Sequence, residues 1–169
     1  MSAGTAPRFL CDEMLQRLGR WLRAAGYDTT IATDAEPDYE LLKLAIKENR
    51  LLITLDKDML EFRRADGTVI FLDAASVDDC ADSLSQKLNI NWLYKPFSRC
   101  MVCNAELSDA TPAQIADLAL IGKEHVDAAY YCASCKQVFW EGSHVNRMRA
   151  HLNDWAFKFS PLSSQNEFA

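Results

Sequence analysis

Leu51-Leu52-Ile53-Thr54-Leu55-Asp56-Lys57-Asp58 is the stretch whose reading decides the fold. Its first five residues form a nearly unbroken apolar run, and the run stops on a carboxylate. A half-exposed strand alternates apolar and polar residues, whereas a strand covered on both faces does not. The run therefore predicts a buried parallel strand. Residues 8–12 (RFLCD) and 68–73 (TVIFLD) repeat the pattern, each ending on an acid, Asp12 and Asp73. In open α/β sheets the carboxyl ends of the strands form the ligand crevice, so acids placed there are candidates for chemistry.

Helical spacing fills the gaps between these runs. Met14, Leu15, Leu18, Trp21, Leu22 and Ala25 recur on one face of a helix over 13–25, which Gly26 ends as a left-handed cap. Residues 28–33 read as a second strand. A helix over 38–48 buries Leu41, Leu42, Ala45 and Ile46, with Asp38 as its expected N-cap. A third helix is expected over 77–88. Alternating strand and helix predicts an α/β domain, a parallel sheet flanked by helices, over residues 8–95.

The pattern changes after Lys95-Pro96. Cys100-Met101-Val102-Cys103 and Cys132-Ala133-Ser134-Cys135 are two C-x-x-C knuckles. Two residues between thiolates let both sulfurs reach one metal, and two knuckles complete a tetrahedral zinc site. Four thiolates leave no open position, so that zinc would be structural. Helical composition over 111–121 accounts for the long spacing between the knuckles. Residues 96–159 are thus expected to form a small zinc ribbon with a C-terminal helix over 144–158. Cys11 and Cys80 sit on apolar elements and read as core.

The chain has 169 residues, a net charge of −6 and six cysteines. No apolar run is long enough to span a membrane, and residues 1–7 lack the apolar centre of a signal peptide. A cytoplasmic location is expected, where thiols stay reduced and paired cysteines point to metal. The acidic total excludes a wholly basic nucleic-acid coat protein, but it is compatible with a carboxylate site that holds divalent metal.

That site is assembled from strand ends. Asp12 and Asp56 end strands, Asp58 follows as D-x-D, and Asp38 opens the second helix with Glu40 two residues on. Convergence on one sheet edge would bind Mg²⁺ or Mn²⁺, with Asp12 and Asp56 as first ligands. Each acid also has a structural reading as a cap or a solvated charge. Arg17, Arg20 and Arg23 form a slanting stripe on the first helix, and a basic stripe beside carboxylates suits an RNA backbone. His144 and Arg147, beside the ribbon, are further RNA-contact candidates. His144 and His151 also read as plain helix histidines.

Longer motifs carry a resemblance. Residues 9–28 (FLCDEMLQRLGRWLRAAGYD), 38–42 (DYELL), 50–58 (RLLITLDKD), 96–104 (PFSRCMVCN), 131–135 (YCASC) and 139–144 (FWEGSH) resemble the C-terminal RNase domain first described in the Mut-seven exonuclease. The resemblance covers about residues 8–152. It implies a PIN-like nuclease fold with a C-terminal zinc ribbon, and an acidic site at Asp12, Asp38, Asp56 and Asp58, with Glu40 a fifth candidate. Cys11 stands where that family usually has an aliphatic residue. Glu36-Pro37 lengthens the approach to the second helix, which leaves Asp34, Asp38 and Glu40 as alternatives there. The function implied is a metal-dependent endoribonuclease acting on single-stranded RNA. The competing expectation is a non-catalytic RNA- or ribosome-binding zinc-ribbon protein. PIN-like domains often pair, so a homodimer is a further expectation.

Overall fold

The computed structural model describes residues 4–33, 36–119, 122, 126 and 128–160. The first domain alternates as expected. It runs β1 (Phe9–Cys11), a 3₁₀ turn (Glu13–Leu15), α1 (Gln16–Ala25), β2 (Thr29–Ile31), α2 (Asp38–Glu48), β3 (Leu51–Thr54), a second 3₁₀ turn (Lys57–Glu61), β4 (Val69–Phe71) and α3 (Val77–Lys87). The four strands pair in parallel in the order β2-β1-β3-β4. The chain goes outward from β1 to β2 and then crosses back to β3. The switch point of the sheet therefore lies between β1 and β3, at the carboxyl ends that carry Asp12 and Asp56.

Both faces of the sheet are covered, which explains the unbroken apolar runs. Side chains alternate across a strand. Phe9, Cys11 and Ile53 pack with Leu18 and Leu22 of α1 and Leu84 of α3. Leu10 and Leu52 point the other way, onto Leu41, Leu42 and Ala45 of α2. Cys11 and Cys80 are both buried, and burial pushes the Cys11 thiol up to about 12. They are core residues.

The C-terminal part holds β5 (Ser108–Asp109), α4 (Pro112–Ala119), β6 (Ala129–Cys132), β7 (Gln137–Trp140) and α5 (Ser143–Lys158). β5, β6 and β7 form an antiparallel sheet. The helix expected over 111–121 is present as α4, and residues 120 and 121 lie outside the described residues. α5 leaves the ribbon and returns to the first domain. Its Met148, Leu152 and Trp155 belong to the same buried cluster as Phe9 and Leu22. His151 stacks on Trp21 at 4.9 Å. His151 and the Trp155 indole both bond Asp78 Oδ1, at 3.0 and 2.6 Å. His151 is thus a packing residue between helices.

Gly26 closes α1 at φ 101°, with the Tyr27 amide bonded to the Leu22 carbonyl at 2.9 Å. A Cβ there would meet the Lys95 carbonyl group and Lys95 Cβ, the latter at 2.7 Å. Gly26→Ala meets both a disfavoured backbone region and a close backbone neighbour. It is expected to cost about 2 kcal/mol or more and to lower the melting temperature by roughly 5 °C or more. Thermal denaturation followed by circular dichroism checks this, and an unchanged midpoint would refute it.

The amino ends of the strands carry a separate ion-pair network. Asp28 accepts from Arg50 Nη1 at 2.8 Å, Arg8 Nε at 3.0 Å and Asn104 Nδ2 at 2.7 Å. Burial raises the Asp28 carboxyl, but these three donors outweigh it and hold the group well below the usual carboxylate range. A depressed carboxyl stabilises the fold fully above its unfolded value, near 3.9, and the stabilisation is lost as pH falls further. Arg50 is 8% exposed, so Asp28→Asn leaves a mostly buried guanidinium short of one partner. The variant is expected to lose about 2–3 kcal/mol at pH 7. The difference from the unsubstituted protein should shrink as pH drops below about 4. Urea titrations at pH 7 and pH 3 measure both values, and a pH-independent difference would remove Asp28 ionisation as the cause.

Candidate active site and metal centre

The acidic edge is built by short pieces of chain at the switch point. Asp12 follows β1 directly and Asp56 follows β3 after one residue. Asp12 precedes a 3₁₀ turn, yet its side chain makes no cap bond. Its Oδ2 instead accepts from the Thr54 hydroxyl at 3.0 Å. The same hydroxyl oxygen accepts the Asp56 amide at 3.0 Å. Thr54 is fully buried and thereby fixes the Asp12 carboxylate relative to the Asp56 backbone. In the sequence Thr54 reads as one more strand residue. The available signal was a hydroxyl inside an apolar run, because a buried hydroxyl requires partners.

Asp56 Oδ1 accepts the Asp58 amide at 2.9 Å and so caps the 57–61 turn. Asp38 is the first residue of α2, but Pro37 holds the cap position and no side-chain cap bond forms. The expectation that Asp38 caps α2 is corrected: its carboxylate stays available. Burial raises the Asp38 carboxyl, as does repulsion from Asp56, Asp12 and Asp58. The four acids therefore share one field. Among the described residues, none of the four forms an ion pair with Lys or Arg.

No three of these carboxylates come within 4.8 Å of one another. A divalent cation at this edge would offset the mutual repulsion of the acids. Glu40 is placed differently. It pairs with Lys43 at 3.9 Å on the exposed side of α2. Asp34 lies outside the described residues. Asp73 is exposed.

The three-arginine stripe divides. Arg17 and Arg20 are exposed, whereas Arg23 is 7% exposed. Arg23 Nε donates to the Thr29 carbonyl at 2.8 Å, and its Nη1 donates to the Met101 and Val102 carbonyls at 2.9 and 3.1 Å. The guanidinium is spent on fastening the first knuckle to the α/β domain. Expecting Arg23 among the surface RNA contacts is corrected on that ground. Six residues along a helix turn the side chain through about 120° relative to Arg17, onto the face the ribbon covers. Asn104 adds a second fastening, accepting the Thr29 amide at 2.9 Å. His144 and Arg147 are exposed at the start of α5.

The cysteines meet closely. The Sγ atoms of Cys100, Cys103, Cys132 and Cys135 all lie within 4.8 Å of one another. Cys100 and Cys135 are 3.9 Å apart, and Cys103 and Cys132 are 3.4 Å apart. A tetrahedral zinc with Zn–S of about 2.3 Å requires sulfur–sulfur edges of about 3.8 Å, so the donor set fits. Burial opposes ionisation of Cys103, but the Ala105 amide and the neighbouring thiols draw it down to about 6. The Cys135 amide faces Cys132 Sγ at 3.4 Å, as expected of a knuckle turn. The cluster could hold one zinc ion.

Residues 7–152 match the family model described as the Mut7-C RNAse domain. The human protein described as Exonuclease mut-7 homolog is 21% identical over an alignment of 238 residues, which covers 91% of this chain. The chain spans 27% of the length of that relative. No solved structure matches the chain. Among the described residues, no helix is long and apolar enough to cross a membrane.

Proposed function

The chain belongs to the Mut7-C RNAse domain family, and from that premise we propose that it cleaves single-stranded RNA internally, with Mg²⁺ or Mn²⁺, at the Asp12–Asp56 edge. The observation that carries this reading is the shared field of four carboxylates, none with a Lys or Arg partner among the described residues, at the switch point of a parallel sheet. A scaffold that only binds RNA has no use for uncompensated negative charge where phosphate would lie. A site that holds a divalent cation does.

Asp12 and Asp56 are the residues that would hold the metal, with Asp38 and Asp58 completing the rim. Bound there, Mg²⁺ or Mn²⁺ would offset phosphodiester charge and make water a better nucleophile at neutral pH. The protein supplies positioning. Thr54 restrains Asp12, and the cap bond restrains Asp56. Arg17 and Arg20 place positive charge on the helix that begins at this edge, where it would draw an RNA backbone. His144 and Arg147 extend the proposed path toward the ribbon. A zinc ion at the four cysteines would be structural, since four thiolates leave it no open position.

A covalently closed single-stranded RNA tests the internal cut. Mg²⁺ or Mn²⁺ should convert circles to linear strands, and EDTA should stop the conversion. Digestion of linear strands alone would replace the internal cut by end-directed cleavage. No digestion of either form with either metal would end the catalytic reading.

A further inference from the structure

A groove opens on the other side of the same sheet edge, between the starting ends of α1 and α3. Its volume is about 180 Å³. Met14, Leu55, Ala75 and Val77 line it, with Arg17 at its border. Met14 is 67% exposed, although it begins a helical face whose other members are buried or half-buried. Arg17 has no carboxylate within ion-pair distance among the described residues. The covered sheet faces leave this methionine and this arginine with no structural task.

We propose that the groove receives one base of the RNA strand, stacked against Met14 and Leu55, while Arg17 holds an adjoining phosphate. Three features select that occupant. The volume lies below the roughly 300 Å³ at which pockets for larger ligands begin, so it suits a single flat ring system. A polarizable thioether packs well on an aromatic heterocycle. Arg17 supplies a cation at the groove, which complements a chain that carries a negative charge at every unit.

Placement adds a further reason. Leu55 is the neighbour of Asp56, and Met14 is two residues from Asp12. Consecutive Cα atoms are about 3.8 Å apart, so both apolar residues stand within about 8 Å of backbone that bears the carboxylates. A strand draped over the edge would set a phosphate at the acids and turn its base into the groove. This assignment rests on the reading of the Asp12–Asp56 edge as the place of the scissile phosphate. Stacking selects for the presence of a base more than for its identity, so weak sequence preference follows.

Equilibrium binding separates the base from the backbone. The full chain, loaded with zinc and carrying Asp12→Asn, is titrated in Mg²⁺ against a short labelled oligouridylate and against an abasic ribose-phosphate strand of the same length. Adding Met14→Ala should weaken oligouridylate binding about five- to tenfold and leave abasic binding unchanged. Adding Arg17→Ala should weaken both. Met14 is exposed, so its truncation removes little packing, and matched melting curves verify this. An equal effect of Met14→Ala on both strands, no effect on either, or no binding to oligouridylate overturns the base groove. Cleavage by the unsubstituted chain is read in parallel. If it cleaves while Met14→Ala binds as the parent does, only the groove falls. If Met14 discriminates base from abasic strand while nothing is cleaved, only the catalytic reading falls.

Discussion

Asp12→Asn is expected to lower metal-dependent RNA cleavage by about 100-fold or more while leaving the domain folded. The substitution removes a candidate metal ligand and one of the charges that raise Asp38. A raised carboxyl is stabilising when protonated, and its stabilisation falls as pH rises through the folded value. At neutral pH the crowded acids therefore oppose folding, and removing one relieves them. Without divalent metal the melting temperature of Asp12→Asn should equal or exceed that of the parent.

Metal reverses the order. A ligand at 100 times its dissociation constant adds about 2.7 kcal/mol, which for a chain of this size raises melting by roughly 5–10 °C. The parent should gain that much in Mg²⁺ or Mn²⁺, and Asp12→Asn should gain much less. Asp56→Asn is expected to behave alike. Glu40→Gln serves as the control, because Glu40 pairs with Lys43 on the exposed side of α2; it should cleave as the parent does. Equal cleavage by the parent and by Asp12→Asn would locate the activity elsewhere.

Cys132→Ser is expected to remove about one zinc ion per chain and to open part of the ribbon. Cys132 is fully buried at the end of β6. Structural zinc contributes on the order of 10 kcal/mol in small modules that cannot fold without it, far more than this three-stranded sheet can replace. The opening should nonetheless be uneven. The first knuckle is fastened to the α/β domain through Arg23 and Asn104 independently of metal, and α5 is anchored by Leu152 and Trp155 in the main core. Among the described residues, the second knuckle has no comparable fastening. Hydrogen exchange should accelerate about 100-fold or more in β6 and β7, with residues 99–104 and α5 changing much less. Full zinc occupancy in Cys132→Ser, or uniform exchange throughout the C-terminal part, would contradict this account.

Much of this arrangement is local and therefore written in the sequence. The 51–55 run lacks alternation because both faces of β3 are covered, and burial on both faces requires that composition wherever the chain is read. Two-residue spacing between thiolates is likewise a local geometric condition, so each knuckle follows from it, whereas the meeting of the two knuckles is made by the fold. The acids at strand ends are legible for the same reason: once the strands are parallel, their carboxyl ends share an edge. Gly26 declares its left-handed cap because few other residues tolerate it.

Only the tertiary structure decided what each helix face meets. Periodicity gives the angle between Arg17 and Arg23 but not what occupies that direction, and the occupant is the first knuckle, which arrives from residues about 80 positions later. His151 reads as a surface histidine until α5 returns to the first domain and sets it on Trp21. Thr54 becomes a positioning group only when β1 pairs beside β3 and brings Asp12 to its hydroxyl. Asp38 keeps its carboxylate free because Pro37, not Asp38, takes the cap position. In each case the deciding contact joins elements distant in sequence or depends on backbone angles of one turn, and composition and periodicity carry neither.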